Sequence, residues 1–146
     1  MRTSIKSNWR GDALALAAVV LFAVLVHWRA VTLQGAYYYF DIQLFHNPIR
    51  HVLARGFAQG RLALWCPGIY AGFPLFADGQ VGALYPLNFM GLPFLRTWQA
   101  TNLIVVLHFV LASVFMFMYL RSHVRPVAAL VGSVSFAYSG PFSTHL

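Results

Sequence analysis

Apolar residues along this chain gather into long unbroken runs, and the polar residues collect between them. The first run, ALALAAVVLFAVLV and its continuation to Val31, predicts a membrane span over about residues 13–33. That is close to the roughly 20 residues needed to cross the hydrocarbon. A second span is predicted over about 97–120, with its apolar core from Leu103 onward. A third, about 127–142, is shorter and rich in small residues. Ala129, Ser133 and Ala137 lie four apart there, as do Ala128 and Gly132, a spacing that lets another helix approach closely. Residues 83–95 are apolar but too few to cross, and read as a re-entrant or interfacial piece broken at Pro86 and Pro93.

Between the first two spans lies the only long segment that is neither a basic tail nor an apolar run, about 34–96. It opens with an aromatic belt, Tyr37–Tyr39. Asn47-Pro48 suits a helix start, with Asn as cap and Pro in the first turn. Ile49, Val52, Leu53 and Phe57 then recur at helical spacing, with Arg50, Arg55 and Gln59 opposite and Gly56 or Gly60 able to end the helix. This predicts a short amphipathic helix over 48–56, lying in the membrane interface with arginines on its polar side. From Arg61 to Gly82 the periodicity is lost. Pro67-Gly68, Gly72, Pro74 and Asp78-Gly79 mark a loop, and the interleaved Trp65, Tyr70, Phe73 and Phe76 mark it as packed.

Composition fixes the class. The chain is 60% hydrophobic with only 9% charged residues and a mean hydropathy of +0.66, where a soluble domain carries roughly a quarter charged. The net charge is +7 with no glutamate. Its arginines flank the apolar runs, so they point to lipid head groups and topology, not to nucleic acid. One cysteine excludes an intrachain disulfide and any Cys-rich metal site. The basic start with Arg2, Lys6 and Arg10 has no good cleavage site behind it, which predicts a retained signal-anchor helix. Arginines are dense in that tail and in the 121–125 turn, which places both in the cytoplasm and the middle segment outside. That topology brings Ser139, Ser143 and His145 to the face that carries Asp41 and Asp78. The small-residue faces and the stop at Leu146 suggest the N-terminal piece of a longer polytopic protein, 1–146 forming part of one membrane domain.

Asp41 is the leading chemical candidate, a carboxylate among aromatics near the bilayer surface. It can act as general base or hold a divalent cation against a phosphate. It can equally cap a helix or pair with Arg50. Asp78 sits in an Asp-Gly turn pair, and Gln80 beside it can bond a sugar or phosphate or the loop backbone. Arg50, Arg55 and Arg61 can cradle a lipid-linked phosphate or meet ordinary head groups. His108 lies mid-span and is a functional suspect by position, and His145 can join Asp41 on the outer face. No phosphate loop, nucleophile elbow, dinucleotide fingerprint or metal-ligand spacing occurs.

Several stretches in order resemble the N-terminal part of the YfhO-like family of bacterial membrane proteins, relatives of the polytopic GT-C glycosyltransferases. They are FDIQLF, the RG-x-x-QGRLALWCP segment, AGFPLFADGQVGALYPLN, NLIVVLHFVLASVFMFMYLR and VAALVGSVSFAYSGPFSTHL. The resemblance implies an all-α, multi-span protein of the bacterial cytoplasmic membrane, its N-terminus in the cytoplasm. Further C-terminal transmembrane helices would complete the GT-C-like fold. It implies transfer of a sugar from a polyprenyl-phosphate donor to a lipid or cell-envelope acceptor on the outer side, with Asp41 matching the family's acidic residue by position. A divalent cation is the only cofactor this suggests. Two other readings compete: a non-catalytic membrane scaffold that uses the small-residue face of the third span, and a transporter fragment in which His108 matters more.

Overall fold

The computed structural model describes residues 9–37 and 40–139. Every regular element among them is helical: α1 (Trp9–Val26), α2 (Trp28–Val31), α3 (Asn47–Ala58), α4 (Pro86–Gly91), α5 (Thr97–Arg121) and α6 (Pro126–Ala137). A π-helical turn, Ile42–His46, runs straight into α3, and a 3-10 turn spans Gly79–Val81. The chain divides into two compact units. One holds Met1–Thr32 with Val105–Leu146, the other Leu33–Ile104, and α5 gives its first two turns to the second.

In the first unit α1 packs on α6. Val19 and Phe117 are buried with Ala129 in one apolar cluster. Ala129, Ser133 and Ala137 are all buried, and a Cβ on Gly132 would lie 2.6 Å from Leu120 Cδ1. Ala129, Ser133 and Ala137 are therefore packed from within the chain, whereas Ala128 is exposed. Asp12, in the first turn of α1, pairs with Arg121 in the last turn of α5 at 2.5 Å. Acid at a helix N-terminus and base at a C-terminus also suit both helix dipoles.

Among the described residues two helices are long and apolar enough to cross a membrane, Trp9–Val26 and Thr97–Arg121. The third expected span differs. Helix α6 has 12 residues, about 18 Å at the α-helical rise, against roughly 30 Å of hydrocarbon. Residues 140–142 of the expected span lie outside the described residues. The first span is also interrupted. His27, at φ −102° and ψ 22°, breaks the helix between α1 and α2.

In the second unit the apolar face of α3 forms the core. Ile49 and Leu53 are fully buried with Cys66, Leu75, Val81, Ala83, Leu92 and Ala100, and Val52 and Phe57 pack against them. An amphipathic helix in a bilayer interface needs that face for lipid. Here the unit's own loop covers it, so the side expected to meet lipid meets protein. Helix α3 ends as its glycines suggest: Arg61 N–H donates to Gly56 O and Gly60 N–H to Phe57 O, both at 3.0 Å. Gly60 takes the positive φ of 65° that this ending requires.

The start of that helix differs from expectation. Asp41, His46 and Asn47 all have helical backbone angles, and Asn47 N–H donates to Ile42 O. Helical backbone thus begins well before Asn47-Pro48. Proline has no N–H, and inside a helix its ring collides with the carbonyl four residues back. The wider i→i+5 turn just upstream accommodates Pro48 without ending the helix.

The loop is ordered by an antiparallel bridge between Cys66 and Phe73, whose two backbone bonds are each 2.9 Å. Gly72 closes this turn at φ 134°, lying so close to the Trp65 ring that a Cβ would overlap it. Trp65, Tyr70 and Phe76 nevertheless stay exposed. Phe73 is the loop aromatic that packs on the core, beside Ala63, Cys66, Ile69, Leu75 and Val81.

Candidate functional site

A cavity of about 420 Å³ in the second unit is lined by Phe40, Asp41, Leu44, Phe45, His46, Tyr70 and Gln80. The helix through the π turn supplies Asp41 and His46. The turn between the bridged Cys66 and Phe73 supplies Tyr70 at φ 50°, and the 3-10 turn supplies Gln80. Asp41 is exposed, and its side chain makes no capping hydrogen bond. Nor does it pair with Arg50, which donates from Nη1 to Thr101 Oγ1 at 3.1 Å. Among the described residues the ion pair of Asp12 and Arg121 involves neither of them.

Asp78 is spent on its own turn. Its Oδ1 accepts from Gln80 N–H at 2.7 Å, which fixes the 3-10 turn and leaves the Gln80 side chain at the cavity. The three arginines do not converge. Arg50 is half-buried against Thr101, with Nε buried and lacking a partner; burial lowers its pKa. Arg55 is exposed and lines a separate cavity with His51, Arg96 and Trp98. Arg61 lies beyond the helix, with Nε on Gln59 Oε1 at 2.7 Å. None of the three lines the cavity that holds Asp41. His108 is exposed on α5 in the other unit, as part of which Ser139 bonds Phe136 O. His145, Ser143 and Tyr38–Tyr39 lie outside the described residues.

His46 is held below the ordinary histidine value, mainly by burial and then by the Arg50 charge; Asp41 and Asp78 pull the other way. The imidazole is therefore neutral at pH 7 and can accept a hydrogen bond. Below its ordinary value of 6.5 the unfolded chain takes up this proton before the folded one does. Stability therefore falls as pH drops from that value through the lower, folded one. His46→Gln is expected to flatten the change in unfolding midpoint between about pH 7.5 and pH 5. A profile unaltered by the substitution would show that His46 does not titrate in this way.

No group of three His, Cys, Asp or Glu side chains converges on a metal position among the described residues. Asp41, His46 and the Gln80 amide oxygen are the donors that the cavity lining offers a cation, and divalent cations take about six or more oxygen ligands.

No protein-family model, no curated protein and no solved structure matches the chain.

Three residues of this unit escaped the sequence reading. His46 follows Asp41 by five positions, which an α-helix turns well apart but an i→i+5 turn brings nearly into line. Thr101 and Asn102 sit in what reads as the start of an apolar span, yet both are buried. Asn102 takes Tyr37 N–H on Oδ1 at 3.3 Å and donates from Nδ2 to Gly35 O at 2.6 Å. Adjacent polar residues in an apolar run were the available signal.

Proposed function

We propose that the chain is part of a bacterial membrane protein of YfhO-like, GT-C-related type, transferring a sugar from a polyprenyl-phosphate donor to a lipid or cell-envelope acceptor outside the membrane. The observation that carries this reading is the cavity in which an unpaired Asp41 meets a neutral His46 and the Gln80 amide. Two helices long and apolar enough to span a bilayer support the membrane part. The sequence resemblance supports the substrate class.

In this mechanism Asp41 removes the proton of the acceptor hydroxyl as its oxygen bonds to the anomeric carbon. The bond from that carbon to the donor phosphate breaks, the polyprenyl phosphate leaves with the electron pair, and configuration inverts. Gln80 offers both a donor and an acceptor to sugar hydroxyls, and His46 accepts from one more. Phe40 and Tyr70, both largely exposed, give apolar faces to the sugar ring.

The test uses the natural protein in membrane vesicles supplied with labelled polyprenyl-phosphate sugars. Label is expected to move to a lipid or envelope acceptor, and Gln80→Ala to slow this by up to about tenfold, the worth of one neutral hydrogen bond. Vesicles that move no sugar from any such donor, with the protein present and folded, would overturn the reading.

A further inference from the structure

The second cavity of the Leu33–Ile104 unit is larger, about 590 Å³, within the range of sites that hold small molecules. Its polar wall carries Arg55, Arg96 and His51. Both arginines are exposed, and neither guanidinium has a carboxylate partner among the described residues. His51 Nδ1 faces Thr97 Oγ1 at 3.5 Å. The cavity's apolar lining includes Leu92, Pro93 and Leu95. Between the last two, Phe94 is 81% exposed, and Met90 just before them is 71% exposed. An apolar wall from a stretch that also exposes Phe94 and Met90, together with two cations that have no carboxylate partner among the described residues, fits an amphiphile, polar at one end and apolar at the other.

Position supplies the second argument. Arg96 and Trp98 flank Thr97, the first residue of a 25-residue helix long and apolar enough to cross a bilayer. At such helix ends tryptophan and arginine meet the head-group region, where the phosphates lie. Guanidinium groups bind phosphate oxygens in a planar, two-pronged fashion. A free phosphate would use the arginines but leave the apolar wall and Phe94 in water.

We propose that this cavity is a binding site for an anionic bilayer phospholipid, its phosphodiester on Arg55 and Arg96 and its acyl chains along Pro93, Phe94 and Leu95. The proposal rests on the membrane part of the reading above and is independent of sugar transfer. The lipid is held in the same unit as the reaction cavity, as a structural ligand and not as a substrate.

Native mass spectrometry of the detergent-purified natural protein tests it, with phosphatidylglycerol, phosphatidylcholine and inorganic phosphate as separate probes. Phosphatidylglycerol is expected to stay bound at least about fivefold more than phosphatidylcholine. Losing both guanidinium contacts in Arg55→Gln/Arg96→Gln is expected to weaken it tenfold or more. Arg61→Gln, whose side chain lies outside this cavity, should leave retention unchanged. Should the double variant misfold by circular dichroism, Arg55→Gln alone is read instead, with a threefold or greater loss expected. Retention that ignores these substitutions would overturn the proposal. Displacement of the lipid by equimolar inorganic phosphate would also overturn it, because the site would then serve a free anion. Fractionation of the cell membranes is scored separately: a protein absent from the membrane pellet sinks the membrane reading itself, whereas a membrane-bound protein with unselective lipid retention sinks only this site.

Discussion

Asp41→Asn is expected to slow sugar transfer by about 10²–10⁴-fold, the usual worth of a positioned general base. The amide matches the carboxylate in size and can still meet a hydroxyl, but it cannot take the proton. Among the described residues Asp41 makes no cap bond and no ion pair, and it is exposed. Its replacement therefore removes little that holds the fold, and protein level and unfolding midpoint should stay near those of the parent. The loss should fall on kcat, with KM changed less, since proton removal belongs to the transition state. Undiminished transfer by Asp41→Asn at equal protein level would strip this residue of the assigned role.

Asn102→Ala is expected to destabilise the protein by about 2–5 kcal/mol, at roughly 1–3 kcal/mol for each buried polar group left without its bond. The side chain is 1% exposed and holds two backbone groups, Gly35 O and Tyr37 N–H. Both belong to the segment that leads into the helix of Asp41. Alanine leaves that carbonyl and that N–H, both part-buried, without these bonds. Gln43 Nε2 donates to Tyr37 O at 3.1 Å from the other side, so the segment should loosen without detaching. The measurements are thermal unfolding in detergent and protease sensitivity across residues 33–37, and transfer should fall along with both. A midpoint within a degree of the parent would mean that water replaces both bonds.

Helix positions were the most legible part of the chain, because long apolar runs have few alternatives. The expected 97–120 span is α5 almost residue for residue, and the alternation of Ile49, Val52, Leu53 and Phe57 did mark the buried side of α3. What that side is buried against was not legible. Periodicity reports that a face is apolar but not whether lipid or protein covers it, and here Leu75, Val81 and Leu92 arrive from the loop. The same limit applies to Ala129, Ser133 and Ala137, whose spacing announces close packing without naming the partner. In the site, Asp41 and Gln80 are both at the cavity, whereas Asp78 serves the turn. His46 stayed hidden because its place with Asp41 at one cavity depends on a π turn, which has no sequence period of its own.

That turn also sets the aim of the carboxylate. A single i→i+5 turn is equivalent to one extra residue threaded into an α-helix. Removing a residue between Ile42 and His46 would let the backbone settle into ordinary register, swinging everything before it by about 100° around the axis. Asp41 would then look away from Gln80 while keeping its identity, its charge and its distance along the chain. The helix works here as a vernier, and an alignment that closed this one-residue gap would erase the feature that points the acid at its neighbours.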